Sequence, residues 1–253
     1  MRLGILASGS KANAMVLEHG GAAIFIDAGL SGVRHVDRLK ASGFGDVRPL
    51  ALLLTHEHSD HVRNAGVISR KWKIPVYGTT GTLDSCRRIL GDVPGEVILE
   101  NGSTMEIGPF TVTSFSVAHD AADPSGYVVE WQSGKLGIAT DLGSSSPLVE
   151  DSLSGCGAVV LEFNHDEDML WNGDYPWYLK QRIASNKGHL SNDAASRLLG
   201  KIVHRGLKVC ILAHLSRENN RPHLAEKVSR AAAGARADIL MGLQDDSLPA
   251  LEL

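Results

Sequence analysis

Short apolar runs, broken by Gly, Pro, Asn and Ser, recur along the whole chain. Leu3–Leu6, Met15–Leu17 and Ala22–Asp27 read as strands, the last two joined by His19-Gly20-Gly21 as a hairpin turn. Leu50–Thr55 is apolar at every position but its end, the pattern of a strand buried on both faces. Ile74–Tyr77, Glu96–Leu99, Ser103–Ile107 and Phe110–Val117 follow as strands. Asn101-Gly102 and Gly108-Pro109 separate the last three, the first pair being a strong hairpin signal. Gly126–Trp131 and Lys135–Thr140 pair through Gln132-Ser133-Gly134, and Ala158–Phe163, Lys208–Ala213 and Asp238–Met241 complete the strands. Helical spacing marks Val33–Ala41, Asp60 to about Lys71, Thr82–Leu90, Tyr175–Ala184, Ser191–Val203 and Leu224–Ala233. Strands and helices are mixed throughout, with no linker, repeat or low-complexity stretch. The pattern is that of a layered α/β protein forming one domain over residues 1–253.

Composition narrows this only a little. At 253 residues, 43% hydrophobic and 21% charged, the chain can bury a sizeable core. No apolar run approaches the roughly 18–20 residues that cross a bilayer, and the first strand turns into a Gly/Ser loop too soon for a signal peptide. A cytoplasmic protein with no membrane partner is expected. The net charge of −4 argues against a surface that coats nucleic acid, but not against a local basic groove. Cys86, Cys156 and Cys210 form no CxxC pair, so neither a disulfide framework nor a thiolate metal site is expected.

The chemistry concentrates in Leu52-Leu53-Leu54-Thr55-His56-Glu57-His58-Ser59-Asp60-His61. His56 and His58 alternate at strand spacing, so in an extended segment their rings point the same way. Asp60 then suits a helix start. One turn can present two imidazoles to one cation, and a carboxylate with an imidazole to a second. Without a metal these crowded polar groups would cost roughly 1–3 kcal/mol for each one left unpaired. A His/Asp site suits Zn²⁺, Mn²⁺ or Fe.

This motif resembles the HxHxDH signature of the metallo-β-lactamase superfamily. The resemblance implies a four-layer αββα sandwich with a dinuclear centre at its edge. It assigns His56, His58 and His119 to one divalent ion and Asp60, His61 and His214 to the other, with Asp141 bridging. His119, Asp141 and His214 each follow a predicted strand. The implied chemistry is hydrolysis by a metal-bound hydroxide, with the pKa of the bound water lowered to about 7. Two ions, two carboxylates and the hydroxide leave about one net positive charge, which favours a phosphodiester. Asp60 is thus both a ligand and part of the catalytic set.

Further segments are more particular: Ala7-Ser8-Gly9-Ser10, His119–Tyr127, Leu161–Asp166, Tyr175–Ile183, Gly188–Asn192 and His214–Asn220. Together they look like the YycJ (WalJ) branch of this superfamily, whose members are 5′→3′ exodeoxyribonucleases. The branch usually ends its opening loop in Gly-Asn; here it is Ala12-Asn13. The resemblance implies DNA as substrate. His189 resembles the late non-ligand His of ribonuclease Z, a proton donor to the leaving oxygen; helix capping is its plain alternative. Ser8, Ser10 and Asn13 on the opening loop, with His165, Lys180 and Arg182, are candidate substrate contacts, against a plain turn, a structural His and a solvated face. Two rival functions stand beside the exonuclease. One is a small-molecule (cyclic) phosphodiesterase or ester/lactone hydrolase on the same centre. The other is a non-catalytic metal-binding regulatory protein. The residues carry no sign of oligomeric state.

Overall fold

The computed structural model describes residues 1–253. Its first half runs β1 (Arg2–Ala7), β2 (Ala14–His19), β3 (Ala22–Ile26), α1 (Gly32–Ala41), β4 (Arg48–Leu53), α2 (Ser59–Val62), α3 (Ala65–Trp72), β5 (Val76–Gly78), α4 (Thr80–Leu90) and β6 (Glu96–Ile98). The second runs β7 (Thr104–Ile107), β8 (Phe110–Ser116), β9 (Ser125–Trp131), β10 (Gly134–Ala139), α5 (Pro147–Leu153), β11 (Ala158–Glu162), α6 (Glu167–Asn172), α7 (Trp177–Ile183), α8 (Asn192–Ile202), β12 (Val209–Ala213), α9 (Pro222–Ala233), β13 (Asp238–Met241) and β14 (Leu251–Glu252).

These strands form two seven-stranded sheets, ordered β14-β1-β2-β3-β4-β5-β6 and β13-β12-β11-β10-β9-β8-β7. Each is antiparallel at one end and parallel at the other, where helices carry the crossovers. Alternation assigns the faces. Leu3, Ile5, Met15, Leu17, Ile24 and Ile26 point between the sheets and meet Val112, Val129, Leu136, Ile138, Val160 and Ile211. The intervening Val16, Phe25 and Leu52 point outward to Leu39 of α1, Ile68 of α3 and Leu83 of α4. Val159, Leu161 and Leu212 likewise face Leu153 of α5, Leu198 of α8 and Ala225 of α9. The result is the four-layer αββα sandwich. No helix is long and apolar enough to cross a membrane.

The expected helix from Asp60 is broken into α2 and α3. Asn64 leaves helical geometry at φ −120°, ψ 15°, and its N–H donates to Ala28 O. Ala28 N–H donates in turn to His61 O at 2.6 Å. The break therefore lets the loop after β3 clamp the turn that carries Asp60 and His61. The helix expected at Tyr175 starts at Trp177, because Pro176 closes the turn before it. Helices α5 and α6 and the strand β14 are too short and weakly periodic to stand out in the sequence.

His35 on α1 illustrates the outer layer. It is fully buried against the rings of Phe25 and Trp72, and neither ring nitrogen has a hydrogen-bond partner. Burial pushes its pKa down to about 4. An unfolded His titrates near 6.5, so between those values the unfolded chain binds the extra proton. This group's stabilisation is full above about pH 6.5 and falls by about 3 kcal/mol on acidification to pH 4. His35→Leu should therefore raise the melting temperature, and the gap to the parent should widen from pH 7 to pH 5. Parallel melting curves at both values would refute this.

Candidate metal centre

The centre lies on one rim of the sandwich, where strands of both sheets end. The first sheet contributes the segment after β4, with Thr55, His56 and His58, and then α2 with Asp60 and His61. The second contributes His119 after β8, Asp141 after β10, Glu162 at the end of β11, His189 before α8 and His214 after β12. Asp27, Asp141 and His214 take left-handed backbone conformations, φ 61°, 55° and 55°. Such angles are uncommon for non-glycine residues and cluster at functional sites. Each turns its side chain from the sheet toward the rim.

The ligand-type atoms fall into overlapping groups, each with its members within 4.8 Å of one another: His56, His58, His119; His56, His61, Asp141; Asp60, His61, His214; and Asp141, Glu162, His189, His214. All seven expected ligand residues are thus brought together. Asp141 is central. Its Oδ2 lies 3.2 Å from His61 Nε2, and its Oδ1 lies 3.5 Å from His214 Nε2 and 3.8 Å from His119 Nε2.

Outer hydrogen bonds orient the rings. His61 Nδ1 donates to Asp27 Oδ2 at 2.7 Å, and Thr55 N–H and Oγ1–H donate to the same carboxylate. His119 Nδ1 donates to Gly188 O at 2.9 Å. His56 Nδ1 donates to Thr55 Oγ1 at 3.1 Å. In His119 and His56 this leaves the Nε2 lone pair for the centre, the arrangement that metal-binding imidazoles require. Glu162, fully buried, accepts from His214 Nδ1 at 3.1 Å, His189 Nδ1 at 2.7 Å and Leu142 N–H at 2.7 Å. Sequence reasoning misses Asp27 and Glu162 as site residues. Glu162 does leave a signal: a charged residue closing an apolar strand that must be buried is rare without a partner.

The donor set fits divalent cations. His56 Nε2 and Asp141 Oδ2 are buried without a hydrogen-bond partner, a costly state unless something else completes them. Burial, aided by the neighbouring imidazoles, holds His56 well below its ordinary pKa, and burial lowers His119 too. Both are therefore neutral and able to bind a cation. Burial works against the charge of Asp60 and Asp141, but the surrounding imidazoles outweigh it and keep both carboxylates ionised.

The six candidate substrate contacts divide. Ser10 and Arg182 line a cavity of about 270 Å³ with His58, Asp60, Asp141 and His189. The other four do not line it. Ser8 is buried and its Oγ accepts from His214 N–H at 2.8 Å. Asn13 is buried, with Nδ2 3.2 Å from Asp60 Oδ2 and 2.9 Å from His61 Nε2. His165 is buried, its backbone carbonyl accepting from Asn192 N–H. Lys180 Nζ donates to Trp171 O at 2.8 Å, so the ammonium fixes α6 to α7 and does not face the cavity. Arg182 is itself paired with Asp120 at 2.5 Å.

Residues 8–189 match the metallo-beta-lactamase superfamily. The chain is 36% identical over 227 residues to the exodeoxyribonuclease YycJ of Bacillus anthracis, covering 89% of this chain and 86% of that one. It is 35% identical over 243 residues to the exodeoxyribonuclease WalJ of Streptococcus pneumoniae, covering 94% and 90%. Among solved structures, the metallo-beta-lactamase fold protein YhfI from Bacillus subtilis superposes with TM-score 0.77 at 14% identity, over 98% of both chains.

Proposed function

The chain belongs to the metallo-β-lactamase superfamily, and from that premise we propose that it is a dinuclear metal-dependent phosphodiesterase, a 5′→3′ DNA exonuclease. The observation that carries the reading is the convergence of seven His and Asp donors from both sheets on one rim, two of their atoms being buried without a partner. The similarity to exodeoxyribonucleases over most of the chain supports DNA among phosphodiesters.

In this reading His56, His58 and His119 would hold one divalent ion and Asp60, His61 and His214 the other, with Asp141 as a carboxylate shared between them. When bound, the ions supply an activated water and positive charge at the scissile phosphoryl group. The chain's own residues do the rest. Asp27, Gly188 O and Glu162 fix the ring orientations of His61, His119 and His214. The negative charge of Glu162 secures the Nδ1 proton of His189, so its Nε2 faces the cavity. There it can hold a proton for the leaving oxygen. Arg182 borders the same cavity, and its partner Asp120 lines an adjoining one with His58 and His189.

Elemental analysis of gently purified protein is expected to give two divalent ions per chain. A content near zero that Zn²⁺ or Mn²⁺ cannot raise would exclude the dinuclear assignment. The activity test uses linear DNA labelled at its 3′ end, closed circular DNA, RNA and bis-p-nitrophenyl phosphate in parallel, with Mn²⁺ or Zn²⁺. Stepwise shortening of the linear DNA with the circle intact is expected. Rapid cutting of the circle, or turnover of the small ester alone, refutes the exonuclease reading; the second result favours a small-molecule phosphodiesterase.

A further inference from the structure

A second cavity, of about 430 Å³, lies across the opening loop from the metal centre. Ser10 lines the metal cavity, while Lys11 and Ala12, the next residues, line this one. Its walls carry Lys11, Arg34, Arg38 and Arg63 against one carboxylate, Asp245. Asp245 is already ion-paired with Arg217. No carboxylate lies within ion-pair distance of the four cations, although the chain as a whole carries net charge −4. Four cations against Asp245 in the wall and Asp246 near Arg38 leave the local charge opposite in sign to that of the whole chain.

The cations are held in place. Arg34 and Arg38 stand one helical turn apart on α1. Arg38 Nη1 donates to Leu6 O at 2.7 Å and to Gln244 O at 3.2 Å, which fixes its guanidinium. Burial, then the charge of Arg34, lower its pKa from the ordinary value. Like charges at this helical spacing are destabilising, so an anion between them would remove a standing cost. Arg63 caps the short helix that carries Asp60. The floor is Gly29, packed so closely that a Cβ there would fall 1.6 Å from Asp60 O. The cavity thus shares its floor with the turn that presents a candidate metal ligand.

We propose that this basic cavity is a second phosphate subsite, which takes a backbone phosphate of a single-stranded DNA substrate while a neighbouring linkage occupies the metal centre. The assignment rests on the nuclease reading. It places the strand's path over Ser10 and Lys11 toward Arg34 and Arg63, away from Lys180, whose ammonium is engaged, and Arg182, whose charge Asp120 offsets. Each linkage of a single strand carries one negative charge, so a strand crossing the opening loop can present one phosphate to the centre and another to this cavity.

The test compares the metal-loaded parent with Arg34→Glu/Arg63→Glu and with Arg88→Glu/Lys227→Glu, a control of equal net charge on exposed positions elsewhere. Binding of a fluorescent phosphorothioate single-stranded oligonucleotide is read by anisotropy across salt concentrations, and turnover of bis-p-nitrophenyl phosphate is read separately. The Arg34/Arg63 variant should bind the oligonucleotide at least tenfold more weakly than the control. Its log–log salt slope should be shallower by about 0.7 for each phosphate that is no longer neutralised. Its loss on the oligonucleotide should exceed its loss on the small ester by at least tenfold. Equal affinity in variant and control overturns the subsite while leaving the nuclease reading intact. An equal loss on both substrates also overturns it, because the arginines would then serve the centre or the fold. Loss of inorganic phosphate binding with unchanged oligonucleotide affinity marks a free-anion site and overturns it too. A parent that binds no oligonucleotide and turns over no phosphodiester removes both readings together.

Discussion

Asp141→Asn should abolish turnover in a chain that still folds. Asp141 sits among His61, His119 and His214, and one of its oxygens has no hydrogen-bond partner. The amide keeps the shape and tolerates the left-handed backbone at φ 55°. In the proposed dinuclear reading it lacks the negative charge that would hold two cations side by side. Losing several kcal/mol of electrostatic stabilisation, about 4 kcal/mol or more, lowers the rate by roughly 10³-fold or beyond. Metal retention should fall as well, while the circular dichroism spectrum stays that of the parent. Undiminished activity in a fully metallated Asp141→Asn protein would show that this carboxylate does not join the two ions.

The second large effect is expected at His189. Its Nδ1 is tied to the buried Glu162 carboxylate, and its other edge borders the cavity. His189→Ala should leave both ions bound and lower kcat for DNA by roughly 10²–10⁴-fold, the usual range for a lost general acid. The loss should be much smaller for bis-p-nitrophenyl phosphate, whose leaving group departs without a proton. Glu162→Gln should give an intermediate loss, since the ring remains but its anchoring charge is gone. Identical losses on DNA and the activated ester would point to positioning instead of proton transfer.

Much of this architecture is readable from residues alone, because buried strands announce themselves. Leu50–Thr55, Ala158–Phe163 and Lys208–Ala213 are apolar on both faces, and each runs into a polar residue at the rim. That arrangement puts His56 and His214 at strand ends, but it is the resemblance to the superfamily's motif that joins them with His58, Asp60, His61, His119 and Asp141 as a set. The supporting carboxylates are harder to see. Asp27 reads as an ordinary hairpin end, and only the tertiary fold brings it beneath His61. Lys180 fails the other way: a lysine in a basic, aromatic stretch looks available to phosphate, yet its long stem folds back to a carbonyl. The division of α2 from α3 depends on backbone bonds to Ala28. Local propensity does not encode such contacts. The basic cavity draws on residues from the opening loop, α1 and the end of α2, so linear spacing could not assemble it.

The left-handed strand ends at Asp27, Asp141 and His214 bear on what substitution can achieve at this rim. At most polar sites, tolerance follows side-chain chemistry. At these positions the backbone angle selects first, admitting Gly and Asn readily and excluding β-branched residues. In a saturation library scored for cellular abundance, Asn and Gly should therefore rank highest among replacements at all three, and Val and Ile lowest. Scored for activity, nearly all should fall together at Asp141 and His214. The two rankings would part most widely for Asn at Asp141: a well-tolerated, abundant and inert protein. Lineages that lose the chemistry while keeping the fold have that single-nucleotide route open to them.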